Sequence, residues 1–195
     1  MQEFISSYLK EVIDIANSVN NQEIENVANE LIQVRDKGGR VFFIGVGGSA
    51  GNASHAVNDF RKLAGIECYC ITDNVSEYSA RVNDEGVESS FSNWLSVSNL
   101  NQNDCIYCLS VGGGNIEKGV SLNIVQAINY SKKVKAKIMG IEGRGNGYLS
   151  KFGDYVINIP NEDIIFTTPF TESFQSLILH AIVSHPNIKV NQTKW

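Results

Sequence analysis

The fold is decided by the ten residues Val41–Ala50, which read VFFIGVGGSA. The first four are apolar and rich in β-branched and aromatic side chains, a pattern that predicts a buried strand. Glycines then break the strand, and the residues from Ser49 onward are compatible with a helix. A strand, a glycine turn and a helix N-terminus can bind an anion, because free N–H groups and the positive end of the helix dipole point at the ligand. The stretch predicts either such an anion site or a tight turn without a ligand.

Two nucleotide-binding motifs are excluded by the same residues. Ala50 follows Ser49 where a dinucleotide fingerprint would place its third glycine. The Gly-Lys-Ser/Thr sequence that a P-loop requires is also missing after the turn. The anion, if one binds, is therefore held in another way.

Length and composition indicate one globular domain, residues 1–195, with a helical pair at 1–38 and an α/β core at 39–195. Hydrophobic residues make up 43% of the 195 residues and charged residues 19%, with a net charge of −5. A chain without a basic stripe or Lys/Arg run is not expected to bind nucleic acid. It has neither a signal peptide nor an apolar stretch of about 18 residues, so we expect a cytoplasmic protein without a membrane partner.

The cysteines predict core packing rather than metal or redox chemistry. Cys105 and Cys108 form a C-x-x-C pattern, which is typical of metal or redox sites when it lies in a loop. Here it lies in a predicted buried strand, where these two thiols would point to opposite faces. We therefore interpret them as core residues.

The order of predicted elements indicates an α/β fold. Two helices, near 6–18 and 22–37, precede the first strand. Apolar strands are predicted at 40–46, 66–72, 104–111, 137–142 and 154–160. Helices are predicted near 51–64, 88–96 and 115–131, and a last helix begins at Thr168 or Thr171 and ends near Val183, with Pro169 in its first turn. Continuous apolar strands alternating with helices predict a parallel sheet covered on both faces, with ligands at the carboxyl ends of its strands.

Two pairs of imidazole and carboxylate stand out. His55 and Asp59 are four residues apart, which places them on one helix face. Glu172 and His180 lie a little over two turns apart on the last helix and share a broad face. Each pair is either an ordinary helix-surface pair or part of a site, since zinc accepts this ligand mixture and so does acid–base chemistry on a sugar. His185, beyond the helix, is predicted to be a surface residue.

A second glycine turn, Ser110–Asn115, reads SVGGGN and follows the third strand. Together with the first turn it could surround one phosphate with N–H groups and hydroxyls, or it could be a loop made flexible by glycine. Asn83–Gly86 reads NDEG and predicts a further turn, from which a carboxylate could reach a sugar hydroxyl.

These residues resemble the SIS (sugar isomerase) domain family, and within it the phosphoheptose isomerase group, over nearly the whole chain. The family pattern after the first strand is G-N-G-G-S-A-x-x-A-x-H-x-x-x-E, and Gly45–Asp59 reads GVGGSAGNASHAVND. The family's N-D-x-G matches Asn83–Gly86. Its last helix carries a Gln and, eight residues later, a His, which match Glu172 and His180.

The resemblance implies a flavodoxin-like three-layer α/β/α sandwich with a five-stranded parallel sheet and two N-terminal helices. The family associates as a homotetramer with active sites between subunits, and several members contain zinc. The phosphoheptose isomerase group converts sedoheptulose 7-phosphate into D-glycero-D-manno-heptose 7-phosphate through an enediol(ate), for the surface heptose of lipopolysaccharide or capsule. The resemblance therefore implies an aldose–ketose isomerase.

The roles that the family's residues have can be assigned to the matching positions of this chain in three sets. The resemblance implies that Asp59 is the catalytic base and His180 the acid. The implied Zn²⁺ ligands are His55, Asp59, Glu172 and His180. The implied substrate-binding residues are Gly47, Gly48, Ser49, Asn83, Asp84, Ser110, Gly112, Gly113, Gly114, Asn115 and Glu172.

The sequence also departs from the family pattern. Val46 replaces an Asn, Asp59 replaces a Glu, and Glu172 replaces the Gln. The family's S-T-S-G-N-S phosphate loop corresponds to Ser110–Asn115, which has lost three hydroxyls. These changes leave a second hypothesis open, a non-catalytic SIS module that binds a sugar phosphate or a protein such as a replication initiator.

Overall fold

The computed structural model describes residues 2–160 and 165–193, and within these ranges it contains eight α-helices and five strands. The helices are α1 (Gln2–Ser18), α2 (Asn21–Asp36), α3 (Gly48–Leu63), α4 (Val75–Glu85), α5 (Ser90–Val97), α6 (Leu122–Val134), α7 (Tyr148–Phe152) and α8 (Thr167–Ser184). The strands are β1 (Arg40–Gly45), β2 (Glu67–Cys70), β3 (Cys105–Ser110), β4 (Lys137–Glu142) and β5 (Tyr155–Asn158). A short 3₁₀ turn, Ile71–Asp73, follows β2. Over these ranges, none of the helices combines the length and the apolar character that crossing a membrane requires.

The five strands form one parallel sheet in the order β2-β1-β3-β4-β5. This confirms the predicted α/β class and the flavodoxin-like strand order. From β1 the chain first crosses to one side of the sheet and later to the other, so the switch in strand order lies between β1 and β3. Ligands of such sheets bind at this switch, at the carboxyl ends of the strands.

Helices cover both faces of the sheet, and each face has its own apolar cluster. One cluster includes core residues of α2, α3 and α8, and the other includes core residues of α5 and α6. Cys105 belongs to the first cluster and Cys108 to the second, which confirms that their thiols lie on opposite faces. Burial raises the pKa of both thiols above its usual range, because an apolar core disfavours the thiolate. Both are free and buried, as core residues should be.

The N-terminal helices differ in how firmly they join this core. Asn20 caps α2 by accepting a hydrogen bond from the N–H of Gln22 at 3.0 Å, and several α2 side chains are buried. Glu23 accepts a hydrogen bond from the N–H of Asn158 at 2.9 Å, which ties α2 to the edge strand β5. By contrast, α1 buries Ile15 but leaves four apolar side chains more than half exposed. These are Phe4, Ile5, Leu9 and Ile13.

Three features of the helical layers correct the sequence predictions. Residues 83–86 were predicted to be a turn, but Asn83 and Asp84 lie in α4 and only Gly86 (φ +86°) ends it. The helix predicted from 115 starts instead at Leu122, because Asn115 and Val120 pair as a small antiparallel bridge. The five-residue helix α7 was not predicted, since it is too short to show helical periodicity.

Candidate functional site

The two glycine turns lie side by side at the carboxyl edge of the sheet. Gly45 at the end of β1 pairs with Leu109 near the end of β3. The loops that follow β1 and β3, after Gly45 and Ser110, are therefore neighbours at the switch in strand order. The predicted juxtaposition of the turns is confirmed, and their local structures can be compared directly.

The first turn leads straight into α3. Gly47 has φ +62° at the N-cap, and its carbonyl accepts a hydrogen bond from the N–H of Ala50 at 3.0 Å. Gly45 must be a glycine, because a Cβ there would collide with the Ser49 carbonyl. Ser49, only 2% exposed, has a hydroxyl with no hydrogen-bond partner in the described structure. The turn thus presents a helix N-terminus and an unused buried hydroxyl.

The second turn is closed by its own hydrogen bonds. The N–H of Gly113 donates to the Ser110 hydroxyl at 3.0 Å. Asn115 accepts a hydrogen bond from the N–H of Lys118 through its side chain at 2.8 Å and exchanges backbone hydrogen bonds with Val120. A helix does not begin at Asn115, so the helix dipole expected there is displaced to Leu122.

A buried carboxylate supports the second turn from below. Glu142 is 0% exposed and accepts hydrogen bonds from the N–H groups of Asn146, Gly147 and Ser150, the shortest at 2.6 Å. A Cβ at Gly113 would collide with this carboxylate, whereas a Cβ at Gly112 would meet nothing within 4 Å. The glycine at 113 therefore serves close packing.

A cleft of about 220 Å³ opens between the first turn and the start of α6. It is lined by Val46, Tyr78, Val87, Glu88, Gly119, Ser121, Leu122 and Asn123. Ser121 is the N-cap of α6 and has the left-handed φ of +50°, which is uncommon outside glycine. Sequence reasoning missed this residue, although a serine before the apolar run of α6 is a helix-start signal.

One stripe of α3 faces α8, and the two helices run in the same direction. Gly48, Asn52, His55 and Asp59 follow each other at spacings of four, three and four residues, which is one helix face. The Asn52 amide donates to the Glu172 carbonyl at 2.8 Å and to Gln175 Oε1 at 3.1 Å. Asn52 and Gln175 were missed by the sequence analysis, and the stripe spacing is the signal that could have found Asn52.

Three of the predicted metal-type side chains meet halfway along this stripe. His55 Nε2 and His180 Nε2 are 3.0 Å apart, and both rings are about half exposed. Asp59 Oδ2 lies 3.2 Å from His55 Nε2 and 3.4 Å from His180 Nε2. Asp59 is 6% exposed, and its other oxygen accepts a hydrogen bond from the Asn58 amide. The three atoms form a small triangle, and the predicted placement of His55 and Asp59 on one helix face is confirmed.

Within one chain Glu172 lies outside this triangle, and its role as a fourth metal ligand stays a prediction. The group of described residues that could hold one ion comprises His55, Asp59 and His180. Glu172 lies eight residues before His180, about 12 Å along the helix axis. Its carboxylate lies instead against Gly48, where a Cβ would collide with it. Within one chain, Glu172 belongs to the glycine turn.

The remaining predicted residues lie at the periphery. Asn83 and Asp84 are exposed near the end of α4, and the Asn83 amide donates to Asp84 at 2.7 Å. Neither lines the cleft, and their role toward a substrate stays a prediction. His185 is half-buried rather than fully exposed and lies 3.5 Å from a Glu25 carboxylate oxygen, apart from the triangle.

Comparisons with known proteins identify the family of the chain. A family model for the SIS domain matches residues 7–143, more than half of the chain. The chain is 27% identical to a phosphoheptose isomerase of Aneurinibacillus thermoaerophilus, over 93% of this chain and 91% of the relative. It is also 27% identical to phosphoheptose isomerase 1 of Campylobacter jejuni, over 86% of this chain and 87% of the relative.

A solved structure extends the likeness to the fold. Phosphoheptose isomerase GmhA from Neisseria gonorrhoeae superposes with a TM-score of 0.80 at 20% identity, covering 93% of this chain and 97% of that one. At this identity the superposition establishes the shared fold. With the family model matched over most of its length, the chain belongs to the SIS domain family.

Proposed function

We propose that this protein is a sugar-phosphate isomerase that interconverts an aldose and a ketose, most specifically sedoheptulose 7-phosphate and D-glycero-D-manno-heptose 7-phosphate. The relatives named phosphoheptose isomerase support this proposal. The observation that carries it is the placement of the His55–Asp59–His180 triangle on the same helix face as the first glycine turn. We further propose that the product of this reaction supplies the heptose of lipopolysaccharide or capsule.

The distance between the first glycine turn and the His55–Asp59–His180 triangle suits a seven-carbon sugar phosphate. Gly48 and His55 are seven residues apart, which is about 10 Å along the α3 axis. An extended heptose 7-phosphate has eight bonds between C1 and phosphorus, or about 10 Å at about 1.2 Å per bond. With its phosphate at the turn near Ser49, the sugar would bring C1 and C2 to the triangle.

The triangle contains the groups that the isomerisation needs. The net change moves one hydrogen from C1 to C2 and one from O1 to O2. Without a bound metal ion, Asp59 would act as the base that removes the proton from C1 to give the enediol(ate), and His180 as the acid that returns a proton at the neighbouring carbon. The hydrogen bond from Asn58 fixes one Asp59 oxygen and leaves the other directed toward the two imidazoles.

The same three side chains fit a Zn²⁺ ion. Tetrahedral ligands at zinc distances of about 2.0–2.1 Å lie about 3.3–3.4 Å from each other. The observed separations are 3.0, 3.2 and 3.4 Å, and both imidazoles can offer a lone pair. His55, Asp59 and His180 would hold the ion. The ion would supply Lewis-acid polarisation of the sugar oxygens.

Turnover of sedoheptulose 7-phosphate tests the enzyme proposal. Purified protein with and without added Zn²⁺ is incubated with the ketose, and aldose formation is followed. Asp59→Asn should lower the rate by about 10³-fold or more, because the amide cannot accept the C1 proton. Asp36→Asn, which removes an exposed carboxylate on α2, serves as the matched control. Wild-type protein that binds zinc and yet shows only background turnover at saturating substrate would rule out this reaction.

Metal content tests the zinc proposal separately. We expect about one Zn²⁺ per chain after equilibration and washing, measured by elemental analysis. His55→Ala should lower zinc affinity by at least about 100-fold, because only two ligands remain. His185→Ala is the matched control, since it removes a histidine outside the triangle. Equal zinc content in the two variants would contradict the assignment.

The alternative, a non-catalytic SIS module, has one observation in its favour. The hydroxyl of Ser110 and the side chain of Asn115 are used within the second turn, so fewer groups are free to hold a phosphate. Phosphate binding without turnover in the assay above would support this alternative, and a pull-down would then search for protein partners.

We also propose a homotetramer with active sites between subunits. The exposed apolar residues of α1 support this proposal, because a surface helix with several apolar side chains on one face usually packs that face against another element or subunit. Sedimentation equilibrium should give four times the 21.5 kDa chain mass. Leu9→Glu together with Ile13→Glu should shift the protein to smaller species, and an unchanged mass would exclude α1 from the interface.

A further inference from the structure

A negative charge lies where the first glycine turn would receive an anion. The Glu172 carboxylate is packed against the Cα of Gly48, the first residue of α3. Its backbone carbonyl is held by the Asn52 amide at 2.8 Å, which fixes this part of α8 beside the turn. Among the described residues, the carboxylate itself has no hydrogen bond or ion pair. It is therefore an unneutralised charge at a helix N-terminus.

The turn beside Glu172 has a second feature of a ligand site. Ser49, in the first turn of the same helix, is 2% exposed, and its hydroxyl has no hydrogen-bond partner within residues 2–160 and 165–193. A buried hydroxyl without a partner costs free energy unless a ligand or water completes it. The helix N-terminus and this hydroxyl both favour an anion, whereas the Glu172 carboxylate repels one.

We infer that Glu172 is a specificity-determining residue that weakens the binding of doubly charged phosphate at the first glycine turn. This inference rests on the proposed function for the location of the phosphate. The carboxylate and a phosphate dianion would share one helix terminus within a few ångströms, so each binding event meets like-charge repulsion that a neutral side chain would remove. Glu172 thus favours substrates whose remaining contacts outweigh the repulsion and disfavours free phosphate.

Direct binding of inorganic phosphate tests the inference without any turnover. Titrations are done by calorimetry at about pH 8, where phosphate is mainly dianionic. Glu172→Gln keeps the shape and removes the charge, and it should bind phosphate about tenfold more tightly than the wild type. Glu172→Asp keeps the charge and should stay close to the wild type. Asp14→Asn, which removes an exposed carboxylate from α1, controls for net charge and should change the affinity less than twofold.

The outcomes separate this inference from the proposed function. Equal or weaker phosphate binding by Glu172→Gln, with an unchanged melting temperature to show that it is folded, overturns the inference. Failure of all variants to bind phosphate overturns it as well, because the turn would then not be an anion site. Tighter binding by Glu172→Gln upholds it even if sedoheptulose 7-phosphate is not converted, in which case only the isomerase proposal fails.

Discussion

The first and second glycine turns have similar sequences, but they differ in whether their polar side chains are hydrogen-bonded within the turn. Both follow buried parallel strands, and they lie side by side at the switch in strand order. The second turn uses its hydroxyl and its amide in its own hydrogen bonds and rests on the fully satisfied Glu142 carboxylate. Among the described residues, the Ser49 hydroxyl of the first turn has no hydrogen-bond partner, and neither has the Glu172 carboxylate beside it.

This difference shows what glycine does in each place. At Gly113 the missing side chain lets a buried carboxylate approach the backbone. At Gly47 it permits the φ of +62° with which the chain enters α3, and at Gly48 it lets the Glu172 carboxylate approach the backbone. Glycine clusters at strand ends therefore need an account of every nearby donor and acceptor before they are interpreted as ligand sites.

The largest effect should come from Gly113→Ala. The new Cβ would displace the Glu142 carboxylate from its three N–H donors and would also force alanine into a φ of +66°. We expect a loss of about 3 kcal/mol in the free energy of unfolding, measured by urea denaturation. Gly112→Ala, one residue earlier, adds a Cβ that meets nothing within 4 Å and should stay within about 0.5 kcal/mol of the wild type. Similar losses in both variants would mean that the second turn is not packed on Glu142.

A smaller loss is expected for Glu142→Gln. The amide keeps one acceptor but places an NH₂ group among the N–H groups of Asn146, Gly147 and Ser150. The buried mismatch should cost about 2 kcal/mol in the free energy of unfolding. Glu117→Gln, an exposed carboxylate on the loop before α6, is the matched control. An unchanged urea midpoint for Glu142→Gln would contradict the closed structure of the second turn.

The smallest effect on stability should come from Ser49→Ala. Its hydroxyl has no hydrogen-bond partner in the described part of the chain, so the free energy of unfolding should change by less than about 0.5 kcal/mol. Ser110→Ala removes the acceptor of the Gly113 N–H and should cost about 1 kcal/mol. The melting temperatures of the two variants, each measured against the wild type, show which substitution is more destabilising. If Ser49→Ala is the more destabilising of the two, the first turn is closed internally and is not an open anion site.

The site was predictable only where it depended on one element. The i,i+4 spacing of His55 and Asp59 placed them on one helix face, and the structure brings them within 3.2 Å. The approach of His180 depends on the packing of α8 beside α3, which spacing within either helix cannot give. Glu172 was grouped with His180 because they share a helix, yet the rise of the helix separates them and joins Glu172 to Gly48.

The loops were harder to predict than the strands. Asn83–Gly86 carries turn residues, but the helix runs on to Glu85 and only the glycine ends it. The bridge between Asn115 and Val120 moved the start of α6 by seven residues, because backbone pairing outweighed the helix-compatible composition of the segment. As a result, Ser121 rather than Asn115 begins the helix beside the cleft.

By itself, the sequence determined the α/β class, the parallel sheet and the glycine turns after β1 and β3. These follow from local patterns, since apolar β-branched runs bury a strand and glycine permits the turns that follow. Only the tertiary structure decided which turn is open, which three side chains meet, and where the Glu172 charge lies. Those outcomes depend on the packing of α8 against α3 and of Glu142 against Gly113, contacts between residues that are 29 to more than 120 positions apart in the chain.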